Sequence, residues 1–424
     1  MERGRQMMRE AKSSGIAWIG TIPKCWETDK LKYHLRRNEP RNPGDVVVLS
    51  LYRELGVIPK DSRDDNHNVT SEDTSKYKYV RPGDFVINKM KAWQGSVAVS
   101  EYEGIVSPAY FVYEFTDDTI FKRYFHYLLR SCYKDEFMRL SGGIRVGQWD
   151  LPADALENTP ILIPPMDEQC RIADFLDTKC AEIDALTADI QTQIDTLEQY
   201  KRSVITETVT KGLNPNAEMK DSGVQWIGNM PAHWDAIRGK YILRYMQKPV
   251  REDDGVITCF RDGEVTLRSN RREDGFTMSD KEIGYQGIDV GDLVVHGMDG
   301  FAGSIGISDS RGKASPVLNV LETDQNKRYI MYYLRSMAYS DVFLALATGI
   351  RVRSCDLRWN KLAELSYPVP PLNEQNAIVK HIDSVLSKAD VVIADKKAQL
   401  ATLDEYKKSL IFEYVTGKKE VPIS

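Results

Sequence analysis

Apolar and polar positions along the chain fall into two kinds of segment. Short apolar runs that begin or end with Gly-Asp or Gly-Ser predict β-strands joined by turns. The runs are GDVVVLSLY, GDFVINKM, GSVAVS and AYFVYEF in the first half and GDLVVHGM and GSIGIS in the second. A helix-like stretch follows in each half, FKRYFHYLLRSCYKDEFMRL and KRYIMYYLRSMAYSDVFLALA. Each half is therefore predicted to form a mostly antiparallel, mixed α/β domain.

The second kind of segment is long and contains neither proline nor glycine. It runs from about 166 to 211 and again from about 372 to 416. Apolar residues recur every seven positions in the first copy and less regularly in the second, which is typical of a coiled-coil seam. The seam positions are Leu176, Ile183, Ile190, Leu197 and Val204 in the first copy, flanked by Ile172, Leu186 and Tyr200, and Ile382, Ala389, Lys396, Leu403 and Leu410 in the second, flanked by Ile378, Val385 and Val392.

Two arrangements of these helices are compatible with the pattern. Each helix could pack on its own domain, or the two helices could pair with each other. Pairing is favoured because each helix is roughly 60 Å long at 1.5 Å per residue, more than the neighbouring sequence could cover. Because each helix follows its domain in the same order, a pseudo-twofold arrangement predicts an antiparallel pair.

The two halves are copies of one unit. The segment SGIAWIGTIPKCW at 14–26 returns as SGVQWIGNMPAHW at 222–234, an offset of 208 residues. Gly83-Asp84, Gly95-Ser96 and Ser107-Pro108 return at the same offset, whereas GIRV at 143–146 returns at 349–352, an offset of 206. This period is too long for a solenoid repeat of about 20–50 residues. The chain is therefore interpreted as a tandem duplication.

Composition places the chain among ordinary globular proteins. It has 424 residues, of which 42% are hydrophobic and 28% charged. We find no apolar run of about 18 residues and no signal peptide, so we expect a cytoplasmic protein without a membrane segment. The six cysteines form no CxxC and the six histidines no HxxxH, which argues against a zinc site. A net charge of −5 still allows a local basic groove.

Motifs of catalysis are missing from the sequence. The patterns GxxxxGK[ST], GxSxG, HExxH and GxGxxG do not occur. The amino-methyltransferase pattern [DNS]PP[YF] fails because Met166 follows Pro164-Pro165 and Leu372 follows Pro370-Pro371. We therefore expect no catalytic residue and no metal site in this chain.

Basic, amide and aromatic residues cluster instead in glycine-bounded turns. These residue types contact phosphates and base edges, and glycine-bounded loops let them reach into a groove. Ordinary surface charges beside partly buried tryptophans would give the same pattern. The cluster comprises Lys89, Lys91, Trp93, Gln94, Arg145, Gln148 and Trp149 in the first copy and His296, Met298, Arg351, Arg353, Arg358 and Trp359 in the second.

The succession of motifs resembles the specificity subunit of Type I restriction-modification systems. The resemblance covers nearly the whole chain and rests on both WIG-containing segments, NKMKAWQGS, GGIRVGQWDL and LEQYKRSVITETVTKGL. Its most specific element is PP-x-x-EQ, which opens each long helix as PPMDEQ and PPLNEQ.

The resemblance implies a domain organisation. It has two tandem mixed α/β target recognition domains separated by two long antiparallel coiled-coil helices, with an internal pseudo-twofold repeat. The predicted boundaries are 1–165 for the first recognition domain, 166–212 for the first spacer helix, 213–371 for the second recognition domain, 372–417 for the second helix and 418–424 for a tail.

The resemblance also implies function and partners. The chain would be non-catalytic and would read a bipartite asymmetric site on double-stranded DNA. It would dock two methyltransferase subunits for adenine methylation and restriction subunits for ATP-dependent cleavage. S-adenosylmethionine, ATP and Mg would be bound by those partners and not by this chain. The expected DNA-binding residues are Lys89, Lys91, Trp93, Gln94, Arg145, Gln148, His296, Arg351, Arg353 and Arg358.

One departure and two rival functions bear on this interpretation. His296-Gly297-Met298-Asp299 stands where the first copy has Asn88-Lys89-Met90-Lys91, so the two domains are expected to read different half-sites. A rival is a duplicated adaptor that binds only proteins and never contacts DNA. A second rival is a catalytic single-chain methylase, which the missing signatures disfavour.

Overall fold

The computed structural model describes residues 9–44, 46–52, 55–62, 73–143, 149–271, 283–346 and 357–422. The chain folds into two compact units. Unit 1 comprises Met1–Asp189 and Ala398–Ser424, and unit 2 comprises Ile190–Lys397. Each long helix therefore contributes one part to unit 1 and the other part to unit 2.

Unit 1 contains short strands, short helices and parts of both long helices. The strands are β1 (Ala11–Ser13), β2 (Thr21–Pro23), β3 (Glu27–Lys30), β4 (Leu35–Arg37), β5 (Leu49–Tyr52), β6 (Gly56–Pro59), β7 (Lys78–Val80), β8 (Phe85–Asn88), β9 (Val97–Val99), β10 (Gly104–Val106), β11 (Tyr110–Phe115) and β12 (Pro160–Ile163). The helices are α1 (Lys122–Cys132), α2 (Lys134–Leu140), α3 (Ala153–Glu157) and the first long helix, α4 (Met166–Lys211).

The central sheet of unit 1 is antiparallel, with strand order β4-β11-β8-β9. Strand β8 is buried on both faces because Phe85 and Ile87 point into one apolar cluster while Val86 points into another. The larger cluster joins the sheet to α1 and to the long helices. The smaller pairs β5-β6, β7-β10, β3-β12 and β1-β2 complete the unit.

Unit 2 is built from elements of the same kinds. The strands are β13 (Met219–Asp221), β14 (Asn229–Pro231), β15 (Asp235–Arg238), β16 (Leu243–Met246), β17 (Ile257–Cys259), β18 (Val265–Leu267), β19 (Gln286–Ile288), β20 (Leu293–His296), β21 (Ile305–Ile307), β22 (Gly312–Ala314), β23 (Leu318–Thr323) and β24 (Ser366–Val369). The helices are α5 (Gly239–Ile242), α6 (Lys327–Tyr339), α7 (Val342–Ala345), α8 (Trp359–Glu364) and the second long helix, α9 (Leu372–Val415).

The strand pairing in unit 2 follows that of unit 1. Its central antiparallel sheet has the order β16-β23-β20-β21, and the pairs β17-β18, β19-β22, β15-β24 and β13-β14 surround it. Leu293 and Val295 of β20 face one apolar cluster and Val294 faces the other, as in β8. The expectation of a mixed α/β protein with two long helices is confirmed.

A buried tryptophan connects each unit to both long helices. In unit 1, the Trp26 indole is fully buried and donates a hydrogen bond of 3.0 Å to Glu168 in the first turn of α4. Gly417, just past the end of α9, has a φ of +69°, and a Cβ there would lie 3.0 Å from the Trp26 ring. The same ring therefore contacts the start of one long helix and the end of the other.

Unit 2 repeats this contact with the helices exchanged. The fully buried Trp234 donates to Glu374, in the first turn of α9, at 3.1 Å. Gly212, which follows the end of α4 with a φ of +73°, packs on the Trp234 ring. Only glycine fits at Gly212 and Gly417 without strain, because the tryptophan ring leaves little space for a Cβ and the backbone φ is positive.

The glutamine of each PP-x-x-EQ motif bonds the helix to the preceding domain. Gln169 is buried, accepts a hydrogen bond from the Phe121 backbone N–H at 2.7 Å and donates to the carbonyls of Thr119 and Pro164. Gln375 likewise accepts from the Asn326 N–H at 2.9 Å. The motif thus has a structural role, because its polar atoms are used to join elements within one unit.

Within each unit the long helices run antiparallel. In unit 1, Phe175 stacks 4.5 Å from Tyr414, and Asp184 pairs with Lys407 at 2.6 Å. In unit 2, Lys396 bonds to Gln193, and Lys201 pairs with Asp390 at 2.6 Å. The helices therefore both pair with each other and pack on the domains, so the two arrangements considered from sequence coexist.

Burial of the predicted seam is uneven. Leu176, Ile183, Ile190, Ile382 and Leu410 are buried, while Leu197, Val204 and Leu403 are half-buried. The flanking residues Leu186, Tyr200 and Val392 are exposed, contrary to their expected place beside the seam. Ile194 and Ile393 are buried instead, because the apolar stripe drifts around a straight helix of 3.6 residues per turn.

In the described part of the chain, none of the helices has the length and apolar character that a membrane span requires.

Replacing either buried glutamine should destabilise its own unit. Gln169→Ala and Gln375→Ala each leave a backbone N–H and carbonyl groups without a partner, which costs about 1–3 kcal/mol. We expect the urea midpoint of the affected unit to fall. Gln199→Ala, at an exposed position of the same helix as Gln169, is the matched control. Equal midpoints for Gln169→Ala and the control would contradict the structural role.

Candidate nucleic-acid interface

In unit 1 the structure brings together two groups of candidate residues that are distant in sequence. Lys89 follows β8, and its amine lies 2.8 Å from Asp150. The Trp93 ring lies 5.4 Å from that of Trp149, and its indole donates to the Met90 carbonyl at 3.1 Å. The turn after β8 and the pair Trp149-Asp150, which follows the GIRV motif in sequence, therefore form one surface.

Backbone hydrogen bonds join residues on either side of this motif. Gly142 and Asp150 exchange two of them, at 3.1 and 2.9 Å, and Leu151 donates to the Lys89 carbonyl at 3.0 Å. Lys91 is exposed and Gln94 is half-buried. Arg145 and Gln148, predicted to contact DNA, lie outside the described residues.

Unit 2 repeats one of these backbone hydrogen bonds. Leu357 donates to the Gly297 carbonyl at 2.8 Å, as Leu151 does to Lys89. The Asn319 amide donates to the carbonyls of Val295 and Leu357, so it joins the sheet to this connection. Arg358 immediately precedes α8 beside Gly297. Arg351 and Arg353 lie outside the described residues.

His296 ends β20, and its protonation state follows from its surroundings. Its Nδ1 accepts from the backbone N–H groups of Met298, at 3.2 Å, and Asp299, at 2.9 Å. Burial lowers the pKa of the imidazole, although nearby Asp299 acts in the opposite direction. A neutral ring whose Nδ1 accepts must carry its proton on Nε2. His296 is therefore a neutral side chain with one available N–H donor.

A cleft of about 520 Å³ opens beside His296 in unit 2. Sequence analysis missed its basic residues because they lie on the β17-β18 hairpin and just after it, in a polar stretch without apolar periodicity. Arg261 pairs with Asp299 at 3.2 Å, and Arg271 pairs with Asp262 and Glu264. The lining includes Arg261, Arg268, Arg271, His296, Asp299 and Ser304.

Across the described part of the chain, no group of His, Cys, Asp or Glu could hold a metal ion.

Comparison with known proteins finds similarity to one group of proteins. The model of the Type I restriction modification DNA specificity domain matches residues 34–196. The MjaX specificity subunit of Methanocaldococcus jannaschii is 24% identical over 444 aligned positions, covering 95% of this chain and 96% of that protein. The MjaVIII specificity subunit of the same organism is 23% identical and covers 94% of each chain. Over nearly its whole length, this chain is therefore similar to type I restriction enzyme specificity subunits.

Solved structures agree with this specificity-subunit fold. A chain from a study of type I R-M complex assembly and conformational transition is 15% identical and has a TM-score of 0.68, covering 94% of this chain and 99% of that one. The HsdS subunit from Thermoanaerobacter tengcongensis, also 15% identical, has a TM-score of 0.50 with coverage of 94% and 98%. The matching family model is described as a DNA specificity domain, which agrees with a role in DNA recognition.

Proposed function

We propose that this chain is a specificity subunit of a Type I restriction-modification system and that it reads a bipartite, asymmetric DNA site, with one half-site read by each unit. The proposal rests on the equivalent strands β8 and β20, because different side chains lie at their ends and in the turns that follow them. Lys89 and Lys91 follow β8 in unit 1, whereas His296 ends β20 and Met298 and Asp299 follow it in unit 2. Sequence specificity comes from side chains that contact base edges. Two units with the same scaffold but different side chains in these turns are therefore expected to recognise two different half-sites.

The candidate residues contribute in different ways. Lys89, held at Asp150, and the exposed Lys91 supply positive charge for phosphates, while Trp93 and Trp149 provide an aromatic surface beside them. Arg145 and Arg351 occupy equivalent places in the two GIRV loops and are proposed to approach DNA, together with Gln94, Gln148, Arg353 and Arg358. The backbone bonds of Gly142 with Asp150, Leu151 with Lys89 and Leu357 with Gly297 favour this role, since they hold residues next to the two motifs close to the turns after β8 and β20.

We propose that the long helices separate the recognition units and carry the partner subunits. Two methyltransferase subunits for adenine methylation, and restriction subunits for ATP-dependent cleavage, would dock on this scaffold. S-adenosylmethionine, ATP and Mg would be bound by those partners. Exposed apolar side chains on the helices support docking, because such surface is unfavourable in water. They include Leu186, Val391, Val392 and Tyr406.

Exchanging one recognition domain should change one half of the methylated motif. The exchange of residues 28–160 cuts the chain in β3 and β12, which pair with each other between Thr28 and Leu162 and between Lys30 and Pro160. The two junctions are therefore adjacent, and the unit should fold. Motifs are read by methylation-sensitive sequencing of cells that carry the chimera. A change in both halves together would disprove the assignment of one half-site to each unit.

Lengthening both helices should widen the unspecified spacer. The contacts of Gln193 with Lys396 and of Lys201 with Asp390 place Thr196 near Ala394. Adding four residues after each adds about 6 Å at 1.5 Å per residue, which corresponds to one or two base pairs at about 3.4 Å each. The specified half-sites should not change. An unaltered spacer with full methylation would show that the helices do not set the distance.

A salt series distinguishes DNA recognition from the protein-only adaptor. Phosphate contacts release counterions, so duplex binding by the complex with its methyltransferase should weaken with a slope of about −0.9 per neutralised phosphate. The readout is the binding constant for one duplex between low and high salt. The absence of duplex binding at every salt concentration would favour the adaptor.

A further inference from the structure

The cleft beside His296 has a rigid basic wall. Its turn from Phe260 to Glu264 is closed by two backbone hydrogen bonds of 2.8 and 3.0 Å. Gly306 of β21 lies so close that a Cβ there would come within 1.9 Å of the Gly263 carbonyl oxygen. Arg335 of α6 donates to the Asp262 carbonyl at 2.7 Å. The turn that carries Arg261 is thus held against both the sheet and a helix, as a preorganised binding site requires.

Two polar groups inside the cleft are available to a ligand. Ser304 is only 1% exposed, and its hydroxyl has no hydrogen-bond partner in the described structure. A buried hydroxyl without a partner is unfavourable, so a ligand atom that bonds to it would relieve the cost. The Nε2–H of His296 is the second group, since Nδ1 is already used by the backbone and the Asp299 carboxylate, 3.9 Å from Nε2, is beyond hydrogen-bond distance. Both groups line the same cleft.

The duplication separates the lining into constant and variable positions. At the offset of 208, Arg261, Arg268 and Arg271 correspond to Arg53, Lys60 and Arg63, so all three positions remain basic. Ser304 corresponds to Ser96. By contrast, His296 corresponds to Asn88 and Asp299 to Lys91. Arg53 and Arg63 lie outside the described residues, so this comparison rests on sequence alone.

We propose that this cleft is where unit 2 reads its DNA half-site. The constant residues Arg261, Arg268 and Arg271 bind phosphates, and the variable residues His296 and Asp299 select bases. The proposal rests on the function proposed above and names the residues that carry it out in unit 2.

The ion pairs of the cleft fit this assignment. Arg261 and Arg271 are partly exposed, and their carboxylate partners use only some of the five N–H donors of each guanidinium. Exposed pairs of this kind add little stability, so their guanidinium groups can turn to phosphates at low cost. The Arg271 guanidinium also lies 4.2 Å from the centroid of the Phe260 ring, which restricts its position.

Two kinds of variant separate the two roles. Arg268→Ala and Arg271→Ala should weaken binding to all duplexes alike and reduce the salt slope by about one each. The double variant His296→Asn and Asp299→Lys gives unit 2 the residues of unit 1. It should change the base preference of the unit 2 half-site by about ten-fold or more and leave the other half intact. Asn at 296 preserves the local fold, because Asn88 accepts from the Met90 N–H at 3.1 Å as His296 accepts from Met298.

The measurements use the full chain in complex with its methyltransferase. Methylated motifs are sequenced in cells, and salt titrations are done on one duplex. Arg244→Ala, an exposed arginine of unit 2 that pairs with Asp324 outside the cleft, is the control and should match wild type. A merely structural role for the arginines predicts lower melting temperatures with an unchanged salt slope, which would overturn the proposal.

The outcomes also distinguish this inference from the proposed function. If the double variant methylates the wild-type motif at the wild-type rate, the cleft does not read bases, although two-part recognition would stand. If the wild-type complex itself showed no two-part motif, the proposed function would fail before any variant was compared.

Discussion

The hydrogen bond from a buried indole to the first turn of a long helix is the contact on which the architecture depends. Trp26 donates to Glu168 and Trp234 to Glu374, and neither indole has access to water. A buried indole N–H without an acceptor is costly, so each tryptophan requires its glutamate. Each carboxylate also has a basic partner, Arg9 for Glu168 and His233 for Glu374. Since the glycine after the opposite helix packs on the same ring, one contact in each unit fixes where a helix starts and where its partner ends.

This arrangement explains how one scaffold can present different recognition surfaces. The polar atoms of the glutamate and glutamine in PP-x-x-EQ are used inside the unit, as are the inward side chains of β8 and β20. The turns that follow these strands are held by backbone bonds and by Asn88 and His296, whose side chains accept from N–H groups of the turns. Other side chains of the turns are therefore less constrained. Substitution there changes the chemistry offered to a ligand at little cost in folding. Loops on a rigid scaffold are where binding residues generally accumulate.

The sequence could predict the elements better than it could predict their contacts. The seven-residue period indicated both long helices, and Gly-Asp and Gly-Ser turns marked β8, β9, β20 and β21. It could not show that Leu186 and Tyr200 are exposed, since that depends on where the partner helix lies. For a related reason, the sequence did not predict that the arginines of the β17-β18 hairpin belong to a binding site, because the cleft that they line exists only after folding. His296 was named from its turn, but its neutral state follows from backbone donors and burial that no pattern displays.

Polar contacts contribute to the register along the helices. Within unit 1 Asp184 pairs with Lys407, and within unit 2 Lys201 pairs with Asp390. Such exposed pairs add little stability, but a parallel or shifted pairing would separate the opposite charges and leave Lys396 without Gln193. A lysine at a seam position weakens the apolar contact and in return disfavours other alignments, as polar seam residues do in coiled coils. The proposed spacing of half-sites therefore depends in part on these few polar residues, because they help to decide which residues of the two helices face each other.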